Sequence, residues 1–331
     1  MTHLLGGSAV AVSALGFGAA SIGNLYRAVP DEQAAATVEA AWQAGIRYFD
    51  TAPHYGLGLS EQRLGQALAG RPREQYAVST KVGRILVDEP DGVGDDLANG
   101  FAVPATRRRV WDYTADGVRR SIEHSLTRLG LDRIDLVLMH DPEESPDPDQ
   151  VLREAYPALA ALRAEGAVGA IGVGSKDPAT LARFATRTDV DALMVAGRYT
   201  LLEQPALDDI LPACAARGIA VLNVGVFNSG LLAVEWPDES RPYEYGTAPA
   251  GVLARAQGIA TACRRHGVTL PQAALAFAAA HPAVASIVVG AGKPDHVDRS
   301  AAWFALPAPP PQLWAELVET GLLRPDAPVP A

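Results

Sequence analysis

Residues 47–61 read RYFDTAPHYGLGLSE. An apolar run stops at Asp50, and Tyr55 follows in a loop that also holds Pro53 and Gly56. Turn chemistry accounts for the proline and the glycine. It does not account for a carboxylate and a phenol set side by side at the end of a buried run. RYFD reads as a short strand, and Ser60–Ala69 reads as a helix with Ser60 as its N-cap. Strand, loop, helix is therefore the unit to look for elsewhere.

The unit recurs along the whole chain. Further apolar runs occur at 15–19, 76–81, 134–140, 170–174, 192–197, 219–227 and 285–290. They are continuous rather than alternating, as strands covered on both faces are. Between them lie helical patterns at 31–44, 114–129, 149–164, 178–185, 207–217, 250–266 and 271–280, several closing on a glycine. Eight strands alternating with helices predict an α/β fold of the (β/α)8 barrel type, spanning residues 1–331 as one domain. A doubly wound sheet is the rival, but no GxGxxG follows the first strand. The uncharged stretch from Leu4 to Ile22 follows Met1-Thr2-His3, which lacks the basic residues of a secretion signal. It is read as an N-terminal hairpin leading into a buried strand. Residues 82–109 break the rhythm with a long loop after the third strand, with a mobile tip at 88–96. A short helix is expected at 313–322.

Of the 331 residues, 48% are hydrophobic and the net charge is −10. An acidic surface repels phosphate backbones, which argues against a nucleic-acid partner. The cluster Arg107-Arg108-Arg109 is read as a solvated loop. Cys214 and Cys263 lie in apolar helical patterns without a CxxC spacing, so buried thiols in a cytoplasmic protein are expected, with no metal site and no membrane partner.

The chemistry gathers at strand ends, where barrels place their active sites. Strand two ends at Asp50, with Tyr55 just beyond; strand three ends at Lys81 and strand four at His140. A free phenol has a pKa of about 10, too high for ready proton exchange. An ammonium beside it favours the phenolate, and a carboxylate keeps that ammonium charged. Asp50, Lys81 and Tyr55 thus suit a general acid/base, with His140 orienting the same oxygen. The set contains no nucleophile, and hydride transfer to a bound cofactor fits it.

FDTAPHYGLGLSE, STK and LVLMH together resemble the signatures of the aldo-keto reductases, over most of the chain from Leu15 to Leu306. The resemblance implies a barrel that binds a nicotinamide dinucleotide, with Asp50, Tyr55, Lys81 and His140 as catalytic tetrad. APHYGLGLSE, KVGR, MHDP, AGRYTLLEQPAL and GVFNSGLLA are similar to the sugar-dehydrogenase branch of that family. This implies oxidation of an aldose of the L-fucose or D-arabinose type at C1 to its lactone. Pyridoxal oxidation and NADPH-linked reduction of aldehydes or ketones are the alternatives. The protein would act on a small molecule as a monomer or small homo-oligomer.

The resemblance also implies a cofactor site. It would comprise Ser175, Tyr199 against the nicotinamide, and the loop Gly225, Phe227, Asn228, Ser229, Gly230 and Leu231 around the pyrophosphate. Lys176 stands where the family usually has Asn, and Ala196 where it has Gln. Members that hold NADP carry a Lys and an Arg at positions occupied here by Gly290 and His296. Lys293 and Arg299 lie near enough in sequence to substitute. The missing basic pair favours NAD over NADP. His54, Trp111 and Tyr113 are the expected substrate contacts.

Overall fold

The computed structural model describes residues 2–244 and 246–330. Eight parallel strands close into a barrel in chain order: β1 (Leu15–Gly18), β2 (Tyr48–Asp50), β3 (Ala77–Val82), β4 (Ile134–His140), β5 (Val168–Ser175), β6 (Ala192–Ala196), β7 (Ala220–Val224) and β8 (Val284–Gly290), with β8 pairing back onto β1. All eight coincide with the apolar runs of the sequence. The helices between them are α1 (Asp31–Gln43), α2 (Leu59–Leu68), α3 (Ala115–Leu129), α4 (Tyr156–Ala164), α5 (Pro178–Arg187), α6 (Ile210–Arg217), α7 (Ala250–Arg265) and α8 (Leu270–Ala279). Two more follow β8, α9 (Pro294–Phe304) and α10 (Pro311–Glu319). Of these α9 was not expected.

The barrel is a packed core. Tyr48, Leu136, Leu138, Ala170, Met194 and Leu222 fill its interior together with Leu5 and Val12. Those last two belong to an antiparallel hairpin, Thr2–Leu4 with Ala11–Ser13, as the sequence predicted. Cys214 and Cys263 are fully buried. No described helix is long and apolar enough to cross a membrane.

Three expectations fail. Ser60 is not an N-cap: α2 starts one residue earlier behind Gly58, and the Ser60 hydroxyl donates to the Ala19 carbonyl at 2.8 Å and meets Thr51 Oγ1. It ties the loop after β2 to the end of β1. Residues 82–109 are not a structureless loop either. Arg84–Asp88 pairs antiparallel with Arg107–Trp111, and Asp95–Asp96 pairs with Phe101–Pro104. The acidic and glycine-rich composition that suggested mobility supplies turns and counter-charges instead. Arg107 meets Asp88 at 3.0 Å, and the largely buried Arg109 meets Asp96 at 2.5 Å and donates to the His54 carbonyl at 2.8 Å. The arginine cluster is therefore a paired strand rather than a solvated loop. The ribbon is stitched to the segment after β1 through Tyr26 N–H to Gly100 O and Ala102 N–H to Asn24 O. It forms a roof over the strand ends.

Gly83 links this roof to the barrel. Its φ is +113°, and a Cβ there would lie 2.2 Å from Cζ of Tyr113. Tyr113 is fully buried and its hydroxyl donates to the His140 carbonyl. Gly83→Ala is expected to destabilise the protein by about 2–4 kcal/mol, through overpacking and backbone strain. Urea unfolding measures the loss, and an unchanged midpoint would show that the ring moves aside freely.

Candidate active site

The loop after β2 turns sharply at Gly56, where φ is +61° and a Cβ would lie 2.1 Å from the Gly23 carbonyl oxygen. That close approach requires glycine. It brings Tyr55 back over the end of the barrel, toward β3. Lys81 Nζ lies 2.9 and 2.8 Å from the two Asp50 carboxylate oxygens, 2.9 Å from the Thr51 carbonyl and 3.1 Å from the Tyr55 hydroxyl. Ser79 Oγ donates to Asp50 Oδ1 at 2.7 Å and fixes the carboxylate from its other side. Asp50 and Lys81 are both almost fully buried.

Burial opposes the Lys81 charge, but the attraction of Asp50 and Tyr55 outweighs it and the pKa is raised. The ammonium is therefore charged at neutral pH. Tyr55 differs from expectation. Burial pushes its phenol up to about 12, and Lys81 opposes this only in part. Desolvation of the phenolate wins, so the resting side chain is a phenol with its proton in place.

His140 faces Tyr55 with the two rings perpendicular and their centroids 6.0 Å apart. Burial, then the charges of Arg84 and Lys81, depress its pKa well below the usual value. His54 packs edge-on to His140 and Phe101, and burial followed by Arg109, Arg84 and Lys81 lowers its pKa to about 2. Both imidazoles are neutral at physiological pH. His54 Nδ1 is buried without a partner among the described residues.

These side chains open into a cleft of about 710 Å³ that extends from Leu97 and Phe101 in the roof across Tyr55 and His140 to Met194, Ala196 and Gly225. Of the expected cofactor residues, Ser175 and Gly225 line it, as do Lys176 and Ala196. Ser175 Oγ donates to Glu143 Oε1. Lys176, Glu244 and Arg198 form an ion cluster at this edge, with Glu244 3.6 Å from Lys176 and 3.0 Å from Arg198. In the following loop Asn228, Ser229 and Gly230 have positive φ in succession, and Asn228 Oδ1 is buried without a partner among the described residues. A nicotinamide dinucleotide fits these residues at its ring end. Gly174, Ala196 and Gly225 put no bulky side chain into the cleft, whereas the expected pyrophosphate residues Asn228, Ser229 and Gly230 do not line it, and the N–H groups of Asn228 and Gly230 are bonded to the carbonyls of Gly225 and Phe227.

Several expected contacts do not reach the cleft. Tyr199 is fully buried, packed 5.1 Å from the Phe277 ring, and belongs to the core rather than to a nicotinamide site. Leu231 is likewise core, and its N–H is already bonded to the Asn228 carbonyl. Phe227 packs edge-on to Trp303. Tyr113 is buried under His140, and Trp111 lies over the Arg84 guanidinium at 4.3 Å, so neither lines the cleft. Only His54 of the three expected substrate contacts does. Hydrophobic residues near strand ends are as often wall as lining, and sequence position alone does not separate them.

A second cavity of about 310 Å³ lies beyond the end of β8, lined by Ser21, Tyr26, Arg27, Gly290, Gly292 and His296. Lys293 and Arg299 do not line it, and Arg299 rests on Trp303 instead. Arg27, which the sequence reading passed over, is the arginine at this cavity.

Arg84, Asp141 and Glu144 were also missed as lining residues. Arg84 is buried and bonds both Asp141, at 3.0 Å, and Glu144, at 2.7 Å. The signal was there: an arginine and an aspartate directly beyond two strand ends already credited with Lys81 and His140.

The model of the Aldo/keto reductase family matches residues 14–319. D-threo-aldose 1-dehydrogenase from a Pseudomonas species is 51% identical over 95% of both chains. Pyridoxal 4-dehydrogenase from Microbacterium luteolum is 36% identical over 96% of this chain and 97% of its own. Among solved structures, an aldo-keto reductase from Bacillus halodurans in its holo form superposes with a TM-score of 0.76 at 25% identity, covering 98% of this chain and 96% of its own.

Proposed function

The chain belongs to the aldo/keto reductase family and is an oxidoreductase, and on that premise we propose that it oxidises an aldose of the L-fucose or D-arabinose type at C1. The observation that carries this reading is the Tyr55 hydroxyl, 3.1 Å from a buried ammonium and facing a neutral histidine, in a chain half identical to a D-threo-aldose 1-dehydrogenase.

The cyclic sugar must lose a hydride from C1 and a proton from its C1 hydroxyl to leave a lactone. A bound nicotinamide would supply the acceptor for that hydride, and the residues of this chain handle the proton. Tyr55 takes the hydroxyl proton, and in the reverse direction donates it to the carbonyl oxygen. Lys81 stabilises the phenolate on the oxidising path, and Asp50 holds Lys81 charged and in place. The neutral imidazole of His140 hydrogen-bonds the same substrate oxygen and orients it. The ribbon roof, with Phe101 over Tyr55, keeps bulk water from the reacting carbon.

NAD is assigned as the preferred dinucleotide, because Gly290 and His296 replace the basic pair of NADP-holding members. Arg27 weighs on the other side. Initial rates of nicotinamide reduction test both points, with L-fucose, D-arabinose, L-galactose, L-xylose and pyridoxal, each with NAD and then NADP. The expected result is sugar turnover, faster with NAD. Turnover of pyridoxal alone moves the substrate to that aldehyde. Silence on all of these, with NADPH-linked aldehyde reduction, makes the protein a general carbonyl reductase and overturns the cofactor assignment.

A further inference from the structure

We propose that Asp141 reads the hydroxyl groups of the substrate, so that the cleft selects uncharged, hydroxylated carbonyl compounds over plain and over carboxylated ones. This rests on the reading of the cleft as an aldose site and names the group that recognises the sugar.

Asp141 directly follows His140 and lines the same cleft. Its Oδ2 lies 3.4 Å from His140 Nε2, so a substrate oxygen held by that imidazole has the carboxylate beside it. Oδ2 is occupied by Arg84, whereas Oδ1 accepts no hydrogen bond among the described residues. The side chain keeps 22% of its surface exposed. An ionised carboxylate only accepts hydrogen bonds, and each sugar hydroxyl has a proton to donate.

The placement is held from several sides. Asp141 adopts a left-handed conformation, φ 44° and ψ 61°, that non-glycine residues seldom take. Its N–H is bonded to the Gly174 carbonyl at 2.8 Å, and its own carbonyl accepts from Glu144 N–H at 3.0 Å. Arg84 is clamped between these carboxylates and the Trp111 ring. The backbone thus takes an unfavourable shape that aims this carboxylate at the reacting end of the cleft, where strain commonly serves a site.

Charge sets the second half of the selectivity. One guanidinium serves two carboxylates, Asp141 and Glu144, which leaves this wall acidic. A substrate carboxylate would meet like charge, whereas neutral hydroxyls meet acceptors. The cleft lining also includes the apolar side chains of Phe101, Leu25 and Leu97, which suit the C–H face of a sugar ring.

The test compares Asp141→Asn with the unaltered protein in the reducing direction, on glyceraldehyde, propanal and succinic semialdehyde with one cofactor. Asparagine keeps the shape and tolerates the left-handed backbone. The expected result is that the ratio of kcat/KM for glyceraldehyde over propanal falls by about tenfold or more, mainly through KM, as loss of one charge-assisted hydrogen bond implies. The relative rate on succinic semialdehyde rises. Equal losses on glyceraldehyde and propanal, or an unchanged ratio, overturn the proposal. If the variant does not fold, the unaltered protein decides: it must favour glyceraldehyde over propanal and discriminate against succinic semialdehyde, and equal rates overturn the proposal. Silence of the unaltered protein on every aldose sinks the aldose reading, whereas the glyceraldehyde-to-propanal ratio still reports on Asp141.

Discussion

Tyr55→Phe lowers the rate of hydride transfer by about 10²–10⁴-fold, the range carried by one positioned acid/base group. Binding of the dinucleotide, followed by fluorescence titration, changes little. The substitution removes one oxygen and keeps the ring that packs against Phe101 and His54. Lys81 loses one of its partners but retains both Asp50 oxygens and the Thr51 carbonyl, so the buried ion pair survives. Stability should therefore hold while turnover collapses. The unaltered protein adds a second readout. With the phenol pushed up to about 12, the base form is scarce at neutral pH and grows as pH rises. Oxidation should then accelerate toward alkaline pH, while reduction, which uses the phenol, stays level until much higher pH. Near-normal turnover in Tyr55→Phe would remove the tyrosine from the mechanism.

The barrel was legible because a buried parallel strand has to be apolar throughout, and each one here ends at a polar or glycine-rich loop. The bringing together of Asp50, Tyr55, Lys81 and His140 was legible for the same reason: residues at consecutive strand ends must be neighbours in a closed barrel. The reading failed where side-chain direction decides. Tyr199 and Tyr113 sit near the expected places in sequence, yet both turn into the core. Arg84 and Asp141 were adjacent to the credited residues, but their pairing joins positions 57 apart in the chain and has no local pattern. The ribbon at 84–111 was obscured by its composition. Its strands pair with each other and arch over the cleft, so their alternation is short and their charges look solvated until the partners are in view. The sign of the Tyr55 shift was missed because sequence names the charged neighbour but not the degree of burial.

Lys81→Met is expected to unfold at lower denaturant as well as to lose hydride transfer. The lysine is buried with Asp50, and deleting one partner of a buried ion pair costs about 3–5 kcal/mol because the other charge is left uncompensated. Asp50→Asn combined with Lys81→Met removes both charges and should recover part of that loss, since neutral groups of similar volume replace the pair. The sign of the pH dependence follows from the raised Lys81 pKa. The folded state holds the proton more tightly than the unfolded chain. The stability this contributes is full below the unfolded lysine value of about 10.4 and is lost as pH rises through the higher folded value. Tyr55, also raised, acts in the same direction from about pH 10 upward. Urea midpoints between pH 7 and 11 should thus fall more steeply for the unaltered protein than for the double variant, which keeps only the tyrosine contribution. A double variant no more stable than Lys81→Met would mean that packing, not the stranded carboxylate, sets the cost. Parallel alkaline slopes in the unaltered protein and the double variant would show that the lysine proton is not held more tightly in the fold, and with it would go the argument that Asp50 keeps Lys81 charged beside Tyr55.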